Sequence, residues 1–249
     1  MKITFVHHSC FVVELESHIL VFDYFDGDKV NGYHFTGQLP EFDPAKKLYF
    51  FASHKHQDHF DLGILKLAGK YPDIQYILSK DIRLGRNYLL RNGIPLSVKE
   101  KIKFVSPDGS YKVDDMKITT LRSTDVGVAF LVEAEGKVIY HAGDLHNWKM
   151  EGAGELINGK MERGYKGALS RISDRHIDVA FVVLDGRLGE HTNRGLDYFM
   201  RHMNADYVFP MHMWQQFDLP AQYKRMCNNS LFTERLVDIT HENQIFEID

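Results

Sequence analysis

The 249-residue sequence predicts an α/β protein in which strands followed by helices recur in each half of the chain. Three short apolar runs open the chain, at residues 3–6, 11–15 and 19–22, and tight polar breaks separate them. Consecutive strands with short connections are typical of an antiparallel meander. No repeat, linker or low-complexity segment interrupts the later order, so one domain over residues 1–249 is expected.

The remaining elements follow from apolar periodicity, turn residues and helix stop signals. Further strands are predicted at residues 48–52, 75–78, 103–105, 111–113, 116–121, 128–133, 137–140, 177–184, 207–210 and 244–248. Helices are predicted at residues 61–70, 81–91, 152–175, 193–203 and 218–229.

Composition narrows the classes of function. Hydrophobic residues make up 44% of the chain and aromatic residues 12%, which fits a globular core. The net charge of −4 is mixed along the sequence and gives no general attraction to nucleic acid. Cys10 and Cys227 form no motif and are expected to be free thiols in a reducing compartment. With no signal-peptide pattern and no run of about 18 apolar residues, a cytoplasmic protein without a membrane span is expected.

The most informative stretch is the loop at residues 53–59, Ser-His-Lys-His-Gln-Asp-His, which lies between an apolar strand and a helical pattern. His54 and His56 are two positions apart, so in an extended chain their side chains leave on the same side. Asp58 and His59 can aim at a second point once the chain turns. Imidazoles are costly to desolvate unless their nitrogens find partners. Two adjacent divalent cations would satisfy all four groups.

The pattern His-x-His-x-Asp-His after a hydrophobic strand resembles the signature of the metallo-β-lactamase superfamily. The resemblance spans the whole chain in motif order, and it is nearest to the ascorbate-6-phosphate lactonase-like branch. It implies a four-layer αβ/βα sandwich that carries a mono- or binuclear metal site at one edge.

Four further residues match positions that the resemblance implies. Asp23 closes the third strand, where the family uses an Asp to orient the metal-binding loop, although a carboxylate that simply ends a strand is the alternative. Asp144 of the Gly143-Asp144 pair matches the carboxylate that bridges both metals, and glycine there lets the backbone approach closely. His212 follows a strand and matches the last ligand. His8 lies in the first turn, which the branch places close to the site.

The third histidine of the family is missing from this sequence. Its place, residues 121–127, offers Asp125 as the only strong ligand type, either as a metal ligand or as a turn residue. The first metal site is then predicted to comprise His54, His56 and Asp144, completed by Asp125 or water. The second is predicted to comprise Asp58, His59, Asp144 and His212.

Other residues are expected to contact substrate or to support the ligands. Tyr24 begins an aromatic-rich irregular segment, residues 24–46, which either covers the metals as a flap or packs on the sheet. His146 follows the Gly-Asp pair and is expected at the mouth of the site. Asp185 and Arg187 end a strand and are candidate substrate contacts, with a plain ion pair as the alternative.

The expected function is hydrolysis of a small lactone, ester or phosphoester by a metal-bound hydroxide. Asp58 would orient the nucleophile or receive its proton, and Asp144 would bridge the ions. Zinc is the default metal, with manganese or iron also suited to mixed imidazole and carboxylate ligands.

Two other classes of function stay open. One is a mononuclear iron dioxygenase-type redox enzyme, and the other is a metal-binding protein without catalysis. The diiron oxidases of the superfamily carry Glu where this chain has His56. A small-molecule substrate is the expected partner, with no nucleic acid and no membrane, and a homo-oligomer is left open.

Overall fold

The computed structural model describes residues 1–149 and 151–248, which form two compact units. The first unit comprises Met1–Ser106 together with Glu242–Asp249, and the second unit comprises Pro107–His241. Each unit contains one mixed β-sheet with helices. The predicted α/β class is confirmed, and the assignment of residues 1–249 to a single domain stays a prediction.

The sheet of the first unit has seven strands: β1 (Lys2–His7), β2 (Cys10–Glu14), β3 (His18–Phe22), β4 (Lys47–Ala52), β5 (Gln75–Ser79), β6 (Ile102–Val105) and β13 (Gln244–Glu247). Their order in the sheet is β13-β1-β2-β3-β4-β5-β6. The antiparallel meander β1-β2-β3 is confirmed, whereas β3 to β6 run parallel. β3 is buried at every position, which is typical of a strand covered on both faces.

A hydrophobic core of the first unit lies between its sheet and three short helices. Ile64, Leu89 and Val98 of these helices belong to one buried cluster with Phe50 and Tyr76 of the sheet. The Tyr76 hydroxyl donates a 2.9 Å hydrogen bond to the backbone oxygen of Ile64, which satisfies its buried polar end. The helices are a 3₁₀ helix at Leu62–Gly69, α1 at Arg86–Arg91 and a 3₁₀ helix at Leu96–Lys101.

The sheet of the second unit has six strands: β7 (Ser110–Val113), β8 (Met116–Arg122), β9 (Val128–Ala134), β10 (Lys137–His141), β11 (His176–Val183) and β12 (Asn204–Met211). Their order is β12-β11-β10-β9-β8-β7. β7 to β10 form an antiparallel meander, and β10, β11 and β12 run parallel. An antiparallel meander followed by parallel strands therefore occurs in both units.

Helices pack against the sheet of the second unit. They are α2 (Gly154–Ser170), a 3₁₀ helix at Gly186–His191, α3 (Arg194–His202), α4 (Leu219–Met226) and α5 (Ser230–Arg235). α2 packs against β8, α3 against β11 and α5 against β12. Tyr140 of β10 stacks on Phe199 of α3 with ring centroids 5.5 Å apart. Among the described residues, no helix has the length and apolarity needed to cross a membrane.

All the predicted strands are present, but several helices differ from the prediction. The helix expected at residues 81–91 is reduced to α1, because Gly85 is extended (φ −67°, ψ 149°) and the chain turns before it. The helix expected at residues 61–70 is a 3₁₀ helix. The helix expected at residues 152–175 begins at Gly154, whose φ of +74° marks a break in the backbone.

Five predicted site residues follow strands that have a parallel neighbour. In the first unit, Asp23 follows β3 and His54 comes two residues after β4. In the second unit, Asp144, Asp185 and His212 follow β10, β11 and β12 respectively. Loops beyond the carboxyl ends of parallel strands are where α/β proteins place their ligand sites. The topology of each sheet thus gathers its polar residues at one end.

Candidate metal centre

The carboxylate of Asp23 positions the His-rich loop (residues 53–59) of the first unit. Its Oδ1 accepts a hydrogen bond from the backbone N–H of Ser53 at 2.7 Å, and its Oδ2 accepts one from the Ser53 hydroxyl at 2.6 Å. The same Oδ2 lies 2.7 Å from Nδ1 of His59. Asp23 is fully buried and has a left-handed backbone, with φ of +46°. The carboxylate therefore fixes both ends of the loop rather than merely ending a strand.

The contact with Asp23 decides how His59 can bind a metal. If Nδ1 donates its proton to the carboxylate, the neutral ring carries its lone pair on Nε2. Nε2 lies 3.8 Å from Oδ2 of Asp58, and Nε2 of His8 lies 3.4 Å from the same oxygen. Two tetrahedral zinc ligands with bonds of about 2.1 Å are separated by roughly 3.4 Å. Asp58 and His59 thus have the spacing of ligands around one ion, and His8 lies close enough to Asp58 to orient its carboxylate.

His54 and His56 form a second pair of imidazoles in the same loop. Nε2 of His54 lies 3.0 Å from Nδ1 of His56, while Nδ1 of His54 lies 2.9 Å from the Ser53 hydroxyl. His54 is buried and His56 is exposed. The backbone N–H of Lys55 donates to the carboxylate of Asp81 at 3.0 Å, so Asp81 supports the loop, a role that no local sequence pattern indicates.

In the second unit, Asp144 lies in the tight turn that follows β10. Gly143 has φ of +50°, and its N–H donates to Nδ1 of His141 at 3.1 Å. His141 is buried, and its ring accepts this hydrogen bond and so stabilises the turn. Trp148 donates from Nε1 to the backbone oxygen of Asp144 at 3.0 Å. The turn is therefore held on both sides of the carboxylate.

His212 repeats in the second unit the arrangement of His59 in the first. Its Nδ1 lies 3.0 Å from Oδ2 of Asp185, and its Nε2 lies 3.5 Å from Oδ1 of Asp144. The residue follows β12 with a left-handed φ of +63°. A buried carboxylate again orients an imidazole, and a second carboxylate lies at the spacing of a shared ion.

Asp185 and Arg187 form an ion pair next to His212. Arg187 reaches both carboxylate oxygens, from Nε at 3.0 and 3.1 Å and from an Nη at 2.6 Å. Burial by itself would raise the pKa of Asp185, but the hydrogen bonds and charges of His212 and Arg187 outweigh it, so the pKa lies below its usual range. The Arg187 guanidinium also stacks over the Trp214 ring, 4.1 Å from its centroid. The plain ion pair, one of the two alternatives predicted for Asp185 and Arg187, is therefore present.

Asp125 lies on an exposed turn in the second unit. Its backbone N–H donates to the Ser123 hydroxyl at 3.1 Å, and the turn closes through Gly127, whose φ is +74°. A carboxylate oxygen of Asp125 lies within 4.8 Å of one of Asp144. The two oxygens can thus approach a common ion.

His146 is buried rather than at the mouth of a site, and Tyr24 is a partly buried residue of the first unit. His146 is fully buried, and a Cβ on Gly195 would come within 2.3 Å of its ring, so the ring occupies space that only glycine leaves open. Burial lowers its pKa to about 3. Tyr24 stacks on His7 at 5.9 Å between ring centroids, and burial raises its pKa to about 12. Both side chains pack inside their own unit.

The aromatic segment at residues 24–46 contains no helix or strand in the described chain. Phe25 and Phe35 pack on the His7 ring, with centroids 4.4 and 5.5 Å away. Phe42 packs edge-on against Phe50 and Tyr71 in the core of the first unit. These aromatic side chains pack on the first unit, which is one of the two alternatives; the role of a substrate flap stays a prediction.

Residues 2–157 match the sequence model of a family described as the β-lactamase superfamily domain. The chain belongs to this superfamily. A UPF0173 metal-dependent hydrolase from Bacillus velezensis is 27% identical over 190 residues, covering 73% of this chain and 72% of that protein. The fold resembles Igni18, a metallo hydrolase from Ignicoccus hospitalis, with a TM-score of 0.65, 18% identity and coverage of 100% and 99% of the two chains.

The same fold also occurs outside hydrolysis. The E377D mutant of CmlA, a β-hydroxylase, matches with a TM-score of 0.55 and 12% identity, over 85% of this chain and 46% of that one. The comparisons confirm the metallo-β-lactamase fold and the prediction of a metal-dependent hydrolase. They do not confirm the ascorbate-6-phosphate lactonase-like branch.

Proposed function

We propose that this chain is a binuclear metal-dependent hydrolase that acts on a small lactone, ester or phosphoester. The ligand sets are those that the order of the superfamily motifs implies. His54, His56 and Asp144 would hold one ion, with Asp125 or water completing its shell. Asp58, His59, Asp144 and His212 would hold the other.

The observation that carries this proposal is a pair of carboxylate–histidine contacts. Asp23 fixes Nδ1 of His59 at 2.7 Å, and Asp185 fixes Nδ1 of His212 at 3.0 Å. Metal-binding histidines typically donate their second N–H to such a carboxylate, which sets the tautomer and raises the basicity of the ligating nitrogen. A histidine that serves only packing has no need of a fully buried anionic partner. In each unit a buried carboxylate thus orients a histidine that is a proposed metal ligand.

The donor set fits borderline divalent cations. Imidazoles with carboxylates suit zinc, manganese and iron, and zinc is the default for a hydrolase of this kind. When bound, such ions act as Lewis acids and make water a nucleophile near neutral pH.

Other residues of the chain accept a proton, orient a ligand or neutralise a charge. Asp58 lies at the partly exposed rim of its loop and can accept a proton from the attacking water. His8 lies 3.4 Å from Asp58 and fixes the direction of that carboxylate. Arg187 neutralises Asp185, so that His212 is oriented without adding a further unpaired anion to the second unit. These contacts preorganise the donors before a substrate binds.

The test combines metal analysis with a substrate panel. Protein purified without added metal is analysed for bound ions, then assayed with esters, lactones, phosphomonoesters and phosphodiesters after loading with zinc, manganese or iron. We expect hydrolysis of at least one class to require metal and to fall at least 100-fold in His59→Ala. Surface variant Asp238→Asn is the control, because its carboxylate is half-exposed, pairs with Lys224 at 2.7 Å and belongs to no His/carboxylate cluster of the described residues.

Oxygen consumption in the presence of iron separates the redox alternative. Turnover that requires dioxygen, with no metal-dependent hydrolysis of any compound in the panel, would contradict the proposed function.

A further inference from the structure

A cationic groove lies on the second unit between the end of β8 and the helix α2. It has a volume of about 420 Å³ and is open to solvent on one side. Its lining includes the charged side chains Asp108, Arg122, Lys160 and Arg171, together with Thr124, Gly164 and Gly167. The proposed metal ligands do not line this groove.

The groove carries more positive charge than its own residues neutralise. Arg122, Lys160 and Arg171 supply three cations, and Asp108 is the only carboxylate in the lining. Asp108 is shared: its oxygens lie 3.3 Å from Nε of Arg122 and 3.8 Å from Nε of Arg171. Lys160 forms no ion pair with any described residue. About two positive charges are thus left over in a chain whose net charge is −4.

Two glycines of α2 keep the groove open. A Cβ on Gly167 would meet no atom within 4 Å, so the space beside it is empty. A Cβ on Gly164 would lie 3.2 Å from Cγ2 of Thr124, so glycine lets the helix approach the loop after β8. Glycine weakens a helix interior, and here it leaves room for a compact group between three cations.

The wall of the groove is also part of the loop that holds Asp144. The Thr124 hydroxyl donates to the backbone oxygen of His146 at 2.6 Å and accepts from its N–H at 3.1 Å. Thr124 is followed directly by Asp125. A group bound in the groove would therefore contact the residue that braces the Gly143-Asp144 turn.

We propose that this groove binds a phosphate group carried by a small molecule. A phosphate monoester has about −1.5 to −2 charges at pH 7, which matches the excess in the groove. Guanidinium groups donate two parallel hydrogen bonds to its oxygens, and Lys160 adds a point charge. The phosphate belongs either to the substrate itself or to a separate effector that acts through Thr124.

Binding is measured in metal-loaded, ¹⁵N-labelled protein by following the amide resonances of Gly164 and Gly167. Inorganic phosphate and glycerol 3-phosphate are the probes, and glycerol is the neutral control. We expect saturable shifts with both phosphates and none with glycerol. The double variant Lys160→Gln/Arg171→Gln should bind at least tenfold more weakly. Lys166→Gln on the same helix should bind as the wild type does, because Lys166 is paired with Glu162 at 2.5 Å.

The same experiment distinguishes phosphate bound in the groove from phosphate bound at the metals, because phosphate at the metals would still bind to the double variant. Absence of saturable shifts at Gly164 and Gly167, or equal affinity in the double variant, would overturn the proposal. The binding test does not depend on turnover. If the protein were inactive toward every substrate but still showed the saturable shifts at Gly164 and Gly167, the proposed function would be wrong and phosphate binding in the groove would stand.

Kinetics then assign the source of the phosphate. An effector changes the turnover of a neutral ester in the wild type but not in the double variant. If the phosphate belongs to the substrate, added phosphate leaves the turnover of neutral esters unchanged. The double variant then has a higher KM for the phosphorylated substrate than the wild type has.

Discussion

Nδ1 of His59 lies 2.7 Å from Oδ2 of Asp23, a carboxylate with no exposure to solvent. The first prediction concerns this contact. Asp23→Asn keeps a side chain that tolerates the left-handed backbone but removes the charge. We expect metal affinity to fall about 10- to 100-fold, because the imidazole becomes a weaker and less firmly oriented ligand. Competition with a chromophoric chelator measures the affinity.

Asp185→Asn should cause a similar loss at His212. The matched control is Asp197→Asn, whose carboxylate accepts a hydrogen bond from the hydroxyl of Tyr223 at 2.9 Å and belongs to no His/carboxylate cluster of the described residues. Metal affinity equal to that of the wild type in both Asp23→Asn and Asp185→Asn would show that the two histidines do not bind metal.

The second prediction concerns Asp144. Asp144→Ala should lose both ions, because one carboxylate is assigned to both metals. Metal content after dialysis is the measurement, with circular dichroism to show that the fold is retained. A folded variant that keeps two ions per chain would refute the bridging role.

The third prediction concerns Asp125, where the superfamily has histidine. As an anionic oxygen ligand it should shift the preference of its ion toward manganese or iron. Asp125→Asn should lose one ion under mild chelation, and Asp125→His should recover it with zinc. If Asp125→Asn keeps both ions at wild-type affinity, Asp125 is a turn residue held by Ser123.

The fourth prediction concerns the pH dependence of stability at Glu14. Hydrogen bonds from Lys2 and Lys46 lower the pKa of Glu14 in the folded protein. The unfolded chain therefore binds a proton more readily, and stability from this group is present at neutral pH and is lost as the pH falls through the folded pKa. Glu14→Gln should cost about 1 kcal/mol at pH 7, and the difference should vanish in acid.

Urea unfolding of wild type and Glu14→Gln at pH 7 and at pH 3 tests this prediction. The control is Glu41→Gln, whose carboxylate is exposed and contacts only Lys70 at 2.9 Å, so it should change stability little at either pH. A Glu14→Gln deficit that is the same at both pH values would show that the lost contact is not electrostatic.

The strands and the His-rich loop could be predicted because their signals are local. Apolar runs and tight polar breaks mark β1 to β3, and residues 53–59 carry their pattern within seven positions. Family resemblance supplied Asp144 and His212, which have no local signal of comparable strength. Their contacts with histidine or carboxylate partners follow only from the folded chain.

Other features depend on residues that are distant in the sequence. Asp81 supports the His-rich loop from 26 positions away, through a bond to a backbone N–H that no side-chain pattern reveals. His146 was expected at the mouth of the site, but Gly195 opens the space that buries it. Gly195 lies on α3, far from His146 in the sequence, so no local sequence pattern indicates this packing. The 3₁₀ helices have weak periodicity, which is why Leu96–Lys101 and Gly186–His191 were not predicted.

His8, Asp23 and His212 all have left-handed backbones, with φ of +48°, +46° and +63°. Each such non-glycine residue costs of order 1 kcal/mol or more unless its surroundings offset it. Glycine would adopt these backbones at no steric cost, but Asp23 also holds the His-rich loop and His212 also contacts Asp185, so replacing either side chain removes stabilising contacts as well. We therefore expect His212→Gly to unfold at a higher temperature than His212→Ala in the absence of metal, because both variants lose the imidazole but only alanine keeps the backbone strain. The difference between the two melting temperatures would thus measure the strain that the folded chain holds in order to present this histidine.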